Sequence, residues 1–117
     1  MAVVFHSNVN QALDALQQKK NEALEIIGGK AETYAKQLAP VGTPESTGIP
    51  GYHGGTLRNS ITHQQFNENT EVIGSNVEYA PYVELGTYKM AARPFLRRAV
   101  EEHSGEYKAI ISRVLNS

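Results

Sequence analysis

The sequence predicts an α+β domain in which a long N-terminal helix and a C-terminal helix pack on one face of a small antiparallel β-sheet. Three features carry this expectation: an apolar stripe of helical period from Val9 to Leu38, two short runs rich in Thr, Ile, Val and Phe around Asn67-Glu68-Asn69, and a second helical stripe beginning at Pro94. With 117 residues and 12.8 kDa the chain suits one domain, residues 1–117.

The first helix is the strongest element. Apart from Ala15 and Ile26, apolar residues fall at 9, 12, 13, 16, 23, 24, 27, 31, 34, 35 and 38. At about 100° per residue they lie within an arc of roughly 140°, one face of an amphipathic helix. Asn8 or Asn10 is placed to cap its start, and Leu38-Ala39-Pro40 ends it, because a residue preceding proline is driven out of the helical region. Gly28-Gly29 costs on the order of 2 kcal/mol inside a helix, yet the stripe keeps its phase across the pair. One long rod is therefore expected, with a helical hairpin broken at the glycines as the alternative. Such a rod measures about 46 Å. A compact domain of this length has a radius of gyration near 13 Å, so part of the rod must overhang and needs a cover, most economically another copy of the chain.

Residues 40–56 hold three prolines and five glycines, which excludes a helix or a central strand and predicts a long loop. Thr56–Phe66 and Thr70–Ser75 then read as a β-hairpin whose mixed alternation predicts cover on one side only. From Val77 to Arg93 the chain fits either a short helical turn begun by Pro81 or a further strand. From Pro94 the apolar positions Phe95, Leu96, Ala99, Val100, Tyr107, Ile110, Ile111, Val114 and Leu115 predict one helix, with Pro94 at its tolerated first position.

Composition narrows the function classes. Eleven Lys+Arg against twelve Asp+Glu leave a net charge of −1, which does not suggest a basic nucleic-acid binder. Absence of cysteine removes disulfides, thiolate metal sites and a cysteine nucleophile. The apolar run Ala2-Val3-Val4-Phe5 is too short for a signal-peptide core or a membrane span.

Candidate chemistry is sparse. His6, His53, His63 and His103 lie in separate segments without metal-ligand spacing, and Glu101-Glu102-His103 lacks the second histidine of a zincin. Ser60 does not sit between glycines on a nucleophile elbow, and Gly54-Gly55-Thr56 lacks the lysine of a phosphate-binding loop. No catalytic residue, metal site or cofactor is predicted. Arg93, Arg97 and Arg98 form the basic cluster, with Glu101 and Glu102 in reach along the helix surface. A nucleic-acid module would need them to converge with Arg58 and Lys89. Glu84, the charged member of an apolar run, is expected to bond Arg93 or Arg58, and Gly86 to take a positive φ.

The stretch Tyr79-Ala80-Pro81-Tyr82-Val83-Glu84-Leu85-Gly86-Thr87, followed by Met90-Ala91-Ala92-Arg93-Pro94-Phe95-Leu96-Arg97, resembles the hallmark of a family of small tail-completion or head-to-tail joining proteins of long-tailed bacteriophages and prophages. Ala39-Pro40-Val41 and Gly55-Thr56-Leu57-Arg58-Asn59-Ser60-Ile61 are similar to the segment after that family's first helix. In place of the family's short Asp-Thr-Gly link this chain has a longer Gly/Pro loop, and Arg98-Ala99 stands where Pro-Ala is common.

The resemblance implies a non-enzymatic virion protein at the head–tail junction, made in the host cytoplasm, that forms a homo-oligomeric ring in the neck. It implies connector or stopper and tail-tube or terminator proteins as partners, DNA passing through the ring without specific binding, and no membrane association. A tail terminator or a head-side stopper is the alternative within that reading. The residues that the family motifs single out for fold and assembly are Leu57, Arg58, Ser60, Tyr79, Tyr82, Glu84, Gly86, Thr87, Arg93, Pro94, Phe95 and Leu96.

Overall fold

The computed structural model describes residues 2–40, 54–88 and 91–117. The loop expected over 40–56 lies, for residues 41–53, outside the described residues, and its last three residues, expected to be non-helical, instead open a helix at Gly54. The element order is α1 (Ala2–Leu38), α2 (Gly54–Ser60), β1 (Thr62–Asn67), β2 (Thr70–Gly74), α3 (Ala80–Leu85), α4 (Phe95–Glu101) and α5 (Ser104–Leu115). The architecture is α+β and mostly helical, with a long N-terminal helix, a two-stranded antiparallel sheet and C-terminal helices.

Helix α1 runs unbroken through Gly28-Gly29, as the constant phase of its stripe predicts, and begins at Ala2 rather than near Asn8. Its 37 residues span about 55 Å at 1.5 Å each. The molecule measures 72 × 24 × 21 Å with a radius of gyration of 19.1 Å, far from the spherical value near 13 Å.

Most other elements arrange themselves along this rod, while α3 packs against α4. The hairpin, α4 and α5 each pack chiefly against α1. The C-terminal helices therefore rest on α1 and not, as expected, mainly on the sheet. The reason is visible on the helix: Ala23, Gly28, Ala31, Ala35 and Ala39 are buried, and such small side chains let neighbouring backbones approach closely. Around Ala35 and Ala39 the core is completed by Leu57, Ile61, Ala80, Val83, Phe95 and Ala99.

The first predicted strand is half helix. Leu57 and Ile61, both fully buried, are four residues apart, so α2 and the residue after it direct both into the core on one helical face. Strand β1 starts only at Thr62. It pairs with β2 in the register His63↔Ile73 and Gln65↔Glu71, with a bulge between Gln65 and Asn67. His63, Glu71 and Ile73 are half-buried while Gln64, Phe66 and Val72 are exposed, the one-sided cover expected from the sequence.

Between Val77 and Arg93 the helical alternative is the one adopted, with Pro81 in the first turn of α3. The single C-terminal helix is divided. His103 leaves helical backbone (φ −116°, ψ 19°) and its ring stacks on Tyr34 of α1 with centroids 3.6 Å apart and planes 6° from parallel. Tyr107 donates its hydroxyl to the carbonyl of Ala99, which ties α5 back to α4, and burial pushes its phenol up to about 12. Stacking and this bond offset the interrupted helical ladder. Helix α5 then descends along α1, from the Tyr34 hydroxyl donating to Glu106 at one end to Lys19 donating to the carbonyl of Ser117 at the other. No helix among the described residues is long and apolar enough to cross a membrane.

Candidate functional site

The family-like motif folds into a latch between α3 and α4. Val83 and Phe95 are buried in the core, and the Arg93 N–H donates to the carbonyl of Val83 at 2.8 Å. Gly86 has φ 81°, the positive value expected, and its N–H closes α3 on the carbonyl of Tyr82. Thr87 beside it is half-buried. Pro94 stands one residue before the first helical position of α4, and Leu96 packs half-buried against the core.

Glu84 does something the sequence reading did not foresee. Its two carboxylate oxygens accept the backbone N–H groups of Leu96 (2.9 Å) and Arg97 (3.2 Å), in place of the guanidinium bond expected with Arg93 or Arg58. The orphan donors at the start of α4, where the helix dipole is positive, are good partners for a carboxylate. In the basic cluster, Arg98 pairs with Glu102 at 2.6 Å one turn on, holding that carboxyl below its usual range.

The earlier motif is also largely structural. Leu57 is core, and Ser60 bonds the carbonyl of Leu57 and the hydroxyl of Ser75 rather than a histidine. Arg58 lines a shallow cleft with Thr33, Lys36 and Gln37. Of the motif aromatics, Tyr79 packs half-buried at the start of α3, whereas Tyr82 is 55% exposed.

Where the hairpin crosses α1 the structure assembles a polar cluster absent from the sequence reading. The ring of His63 lies between two carboxylates of α1, with Nε2 3.0 Å from Glu25 and Nδ1 3.1 Å from Glu32. Lys36 supports Glu32 from the next turn at 3.3 Å. The bond to Glu25 raises the His63 pKa against the opposing effect of burial, and Glu32 adds to the rise. Burial raises the Glu32 carboxyl, but the bonds from His63 and Lys36 prevail and lower it. Glu71 from β2 completes the group: both of its carboxylate oxygens are buried without a hydrogen-bond partner, and burial raises its pKa. The one available signal was the spacing Glu25, Gly28, Glu32, which places all three on one stripe of α1.

Where α1 outruns its cover, the described residues include exposed leucines. Helix α5 ends level with Lys19, and the hairpin turn reaches Gln17 through the carbonyl of Glu68. Beyond these contacts Leu13 and Leu16 are 58% and 45% exposed. Lower down, Lys20, Ala23, Leu24, Ile111 and Leu115 line a groove of about 130 Å³ between α1, α5 and the hairpin turn.

Comparison with known proteins agrees with the motif reading. The family model described as "Bacteriophage HK97-gp10, putative tail-component" matches residues 4–86, well over half of the chain, from near the start of α1 through the hairpin and α3 and ending before α4. Neither a curated protein nor a solved structure matches. On this match the chain belongs to the HK97-gp10-like family of bacteriophage tail components.

Proposed function

We propose that this tail component is a non-enzymatic virion protein that oligomerises as a ring at the neck, completes the tail and joins it to the DNA-filled head. The observation that supports it most directly is the projection of α1. About 25 Å of helix extends past the end of α5, carrying exposed Leu13 and Leu16. A closed ring needs two unlike, mutually complementary surfaces on each subunit. The projecting helix supplies one, and the groove beside Leu24, Ile111 and Leu115 supplies a receiving face. The net charge of −1 suits a lumen that passes DNA without retaining it. The neighbours in the particle are then a connector or stopper on the head side and the tail tube or a terminator on the other.

Electron microscopy of particles made without this protein tests the reading. Full heads separated from tails of normal length are the expected result. Joined, infectious particles overturn it, and tails of uncontrolled length reassign the protein to terminating the tail.

A further inference from the structure

The crossing of the hairpin over α1 brings together one imidazole and three carboxylates from three elements. We propose that Glu25, His63 and Glu71 bind a divalent transition cation of the Zn²⁺ class, which fastens the β-hairpin to α1. The inference rests on this crossing alone and is independent of the neck assignment.

Donor placement is the first argument. The ligating atoms of Glu25, His63 and Glu71 lie within 4.8 Å of one another. A tetrahedral ion with ligands about 2.0 Å away needs them about 3.3 Å apart. Glu25, with its side chain 72% exposed, is free to swing over that difference. The imidazole is also held in the orientation a metal ligand needs. Glu32 accepts the Nδ1–H of His63, and Lys36 holds Glu32 in place. A carboxylate on the far nitrogen fixes the tautomer that turns the Nε2 lone pair toward Glu25 and Glu71, the arrangement by which metal-binding histidines are usually held. The cation would take the place of the proton now shared between Nε2 and Glu25.

Glu71 also lacks a partner that a cation would supply. A carboxylate whose two oxygens are both buried without a hydrogen bond has lost its hydration and gained no partner. It is pressed against the helix at Gly28, where a Cβ would come within 2.7 Å of its Oε1 and 2.8 Å of the His63 ring. Glycine at this point of α1 lets the carboxylate reach the cluster, and a cation there satisfies it. One nitrogen and two oxygens with an open fourth position suit Zn²⁺ or Co²⁺.

The test is titration of the full-length protein, stripped with chelator and then freed of it, with Zn²⁺ by calorimetry and with Co²⁺ by visible absorption. One equivalent per chain is expected, together with a tetrahedral Co²⁺ spectrum and a higher melting temperature. Binding should weaken at least about tenfold in Glu25→Gln, Glu71→Gln and His63→Gln, and by a similar factor in Glu32→Ala, which removes only the orienting group. Glu25→Gln lies on the surface and should keep the ion-free far-ultraviolet circular dichroism spectrum, so a failure to fold does not obscure the result. Absence of saturable Zn²⁺ binding overturns the proposal, as does affinity unchanged in the three ligand variants, which would place the ion at another histidine.

Discussion

The carboxylate of Glu84 accepts the backbone N–H of Leu96 at 2.9 Å, so a side chain of α3 caps the N-terminus of α4 across the intervening loop. With Arg97 as second donor, one residue satisfies two of the orphan groups that begin the helix. The fold gains a fixed angle between α3 and α4 without a serine, threonine or aspartate at the capping position itself.

Glu84→Ala should therefore destabilise the protein by about 1–2 kcal/mol, read as a lower urea midpoint at unchanged slope. Glu84→Gln, which keeps one accepting oxygen, should lose less. Equal stability of the alanine variant and the parent would show that the cap is idle.

The two adjacent glycines of α1 should respond with opposite signs. At Gly29 an added Cβ meets nothing within 4 Å, so Gly29→Ala should stabilise the protein by up to about 1 kcal/mol through helix propensity. At Gly28 the same methyl collides with Glu71 and His63, and overpacking of about 1–3 kcal/mol should outweigh the propensity gain. Thermal melts of the two variants check this, and a stabilised Gly28→Ala would mean that the crossing yields easily.

Stability of the ion-free protein should fall as the pH rises from the unfolded histidine value of 6.5 through the raised folded value. The folded pKa of His63 is raised above 6.5, so its contribution is fully present below the unfolded value and is lost as pH rises through the folded one. Glu71, also raised, acts in the same direction from lower pH, while Glu32, lowered, contributes above its unfolded value of 4.5 and is lost in acid. Denaturant midpoints across this range, with chelator present, should decline more steeply for the parent than for His63→Gln. Parallel curves would remove His63 from the account.

Two neighbours in the motif should separate fold from surface. Phe95→Ala empties the centre of the core and should cost about 3–5 kcal/mol. Tyr82→Ala, at an exposed position, should change stability by no more than about 0.5 kcal/mol, and a large loss there would show an unrecognised packing role.

Leu13→Glu combined with Leu16→Glu should leave the monomer's melting temperature nearly unchanged and lower self-association in sedimentation or light scattering. Unaltered assembly of the double variant would move the contact away from the projecting end of α1.

Much of this architecture was legible in residue order. Local steric rules and periodicity fixed the long helix, its stop at Pro40, the turn at Asn67-Glu68-Asn69 and the positive φ of Gly86, because each depends on a few consecutive residues. The motif around Tyr79–Thr87 pointed to the family for the same reason. Leu57 and Ile61 fit both a period-two and a four-residue spacing, and only burial of both against Ala35 and Ala39 selected the helix. Partners distant in sequence were settled by packing alone. The cap from Glu84 to α4 depends on how α3 and α4 meet across their loop, while the stack of His103 on Tyr34 that divides the C-terminal helix and the meeting of His63 and Glu71 with Glu25 and Glu32 depend on the close approach that buried small residues of α1 permit. Such approach is a property of facing surfaces, and a linear order of side chains does not contain it until the chain has folded.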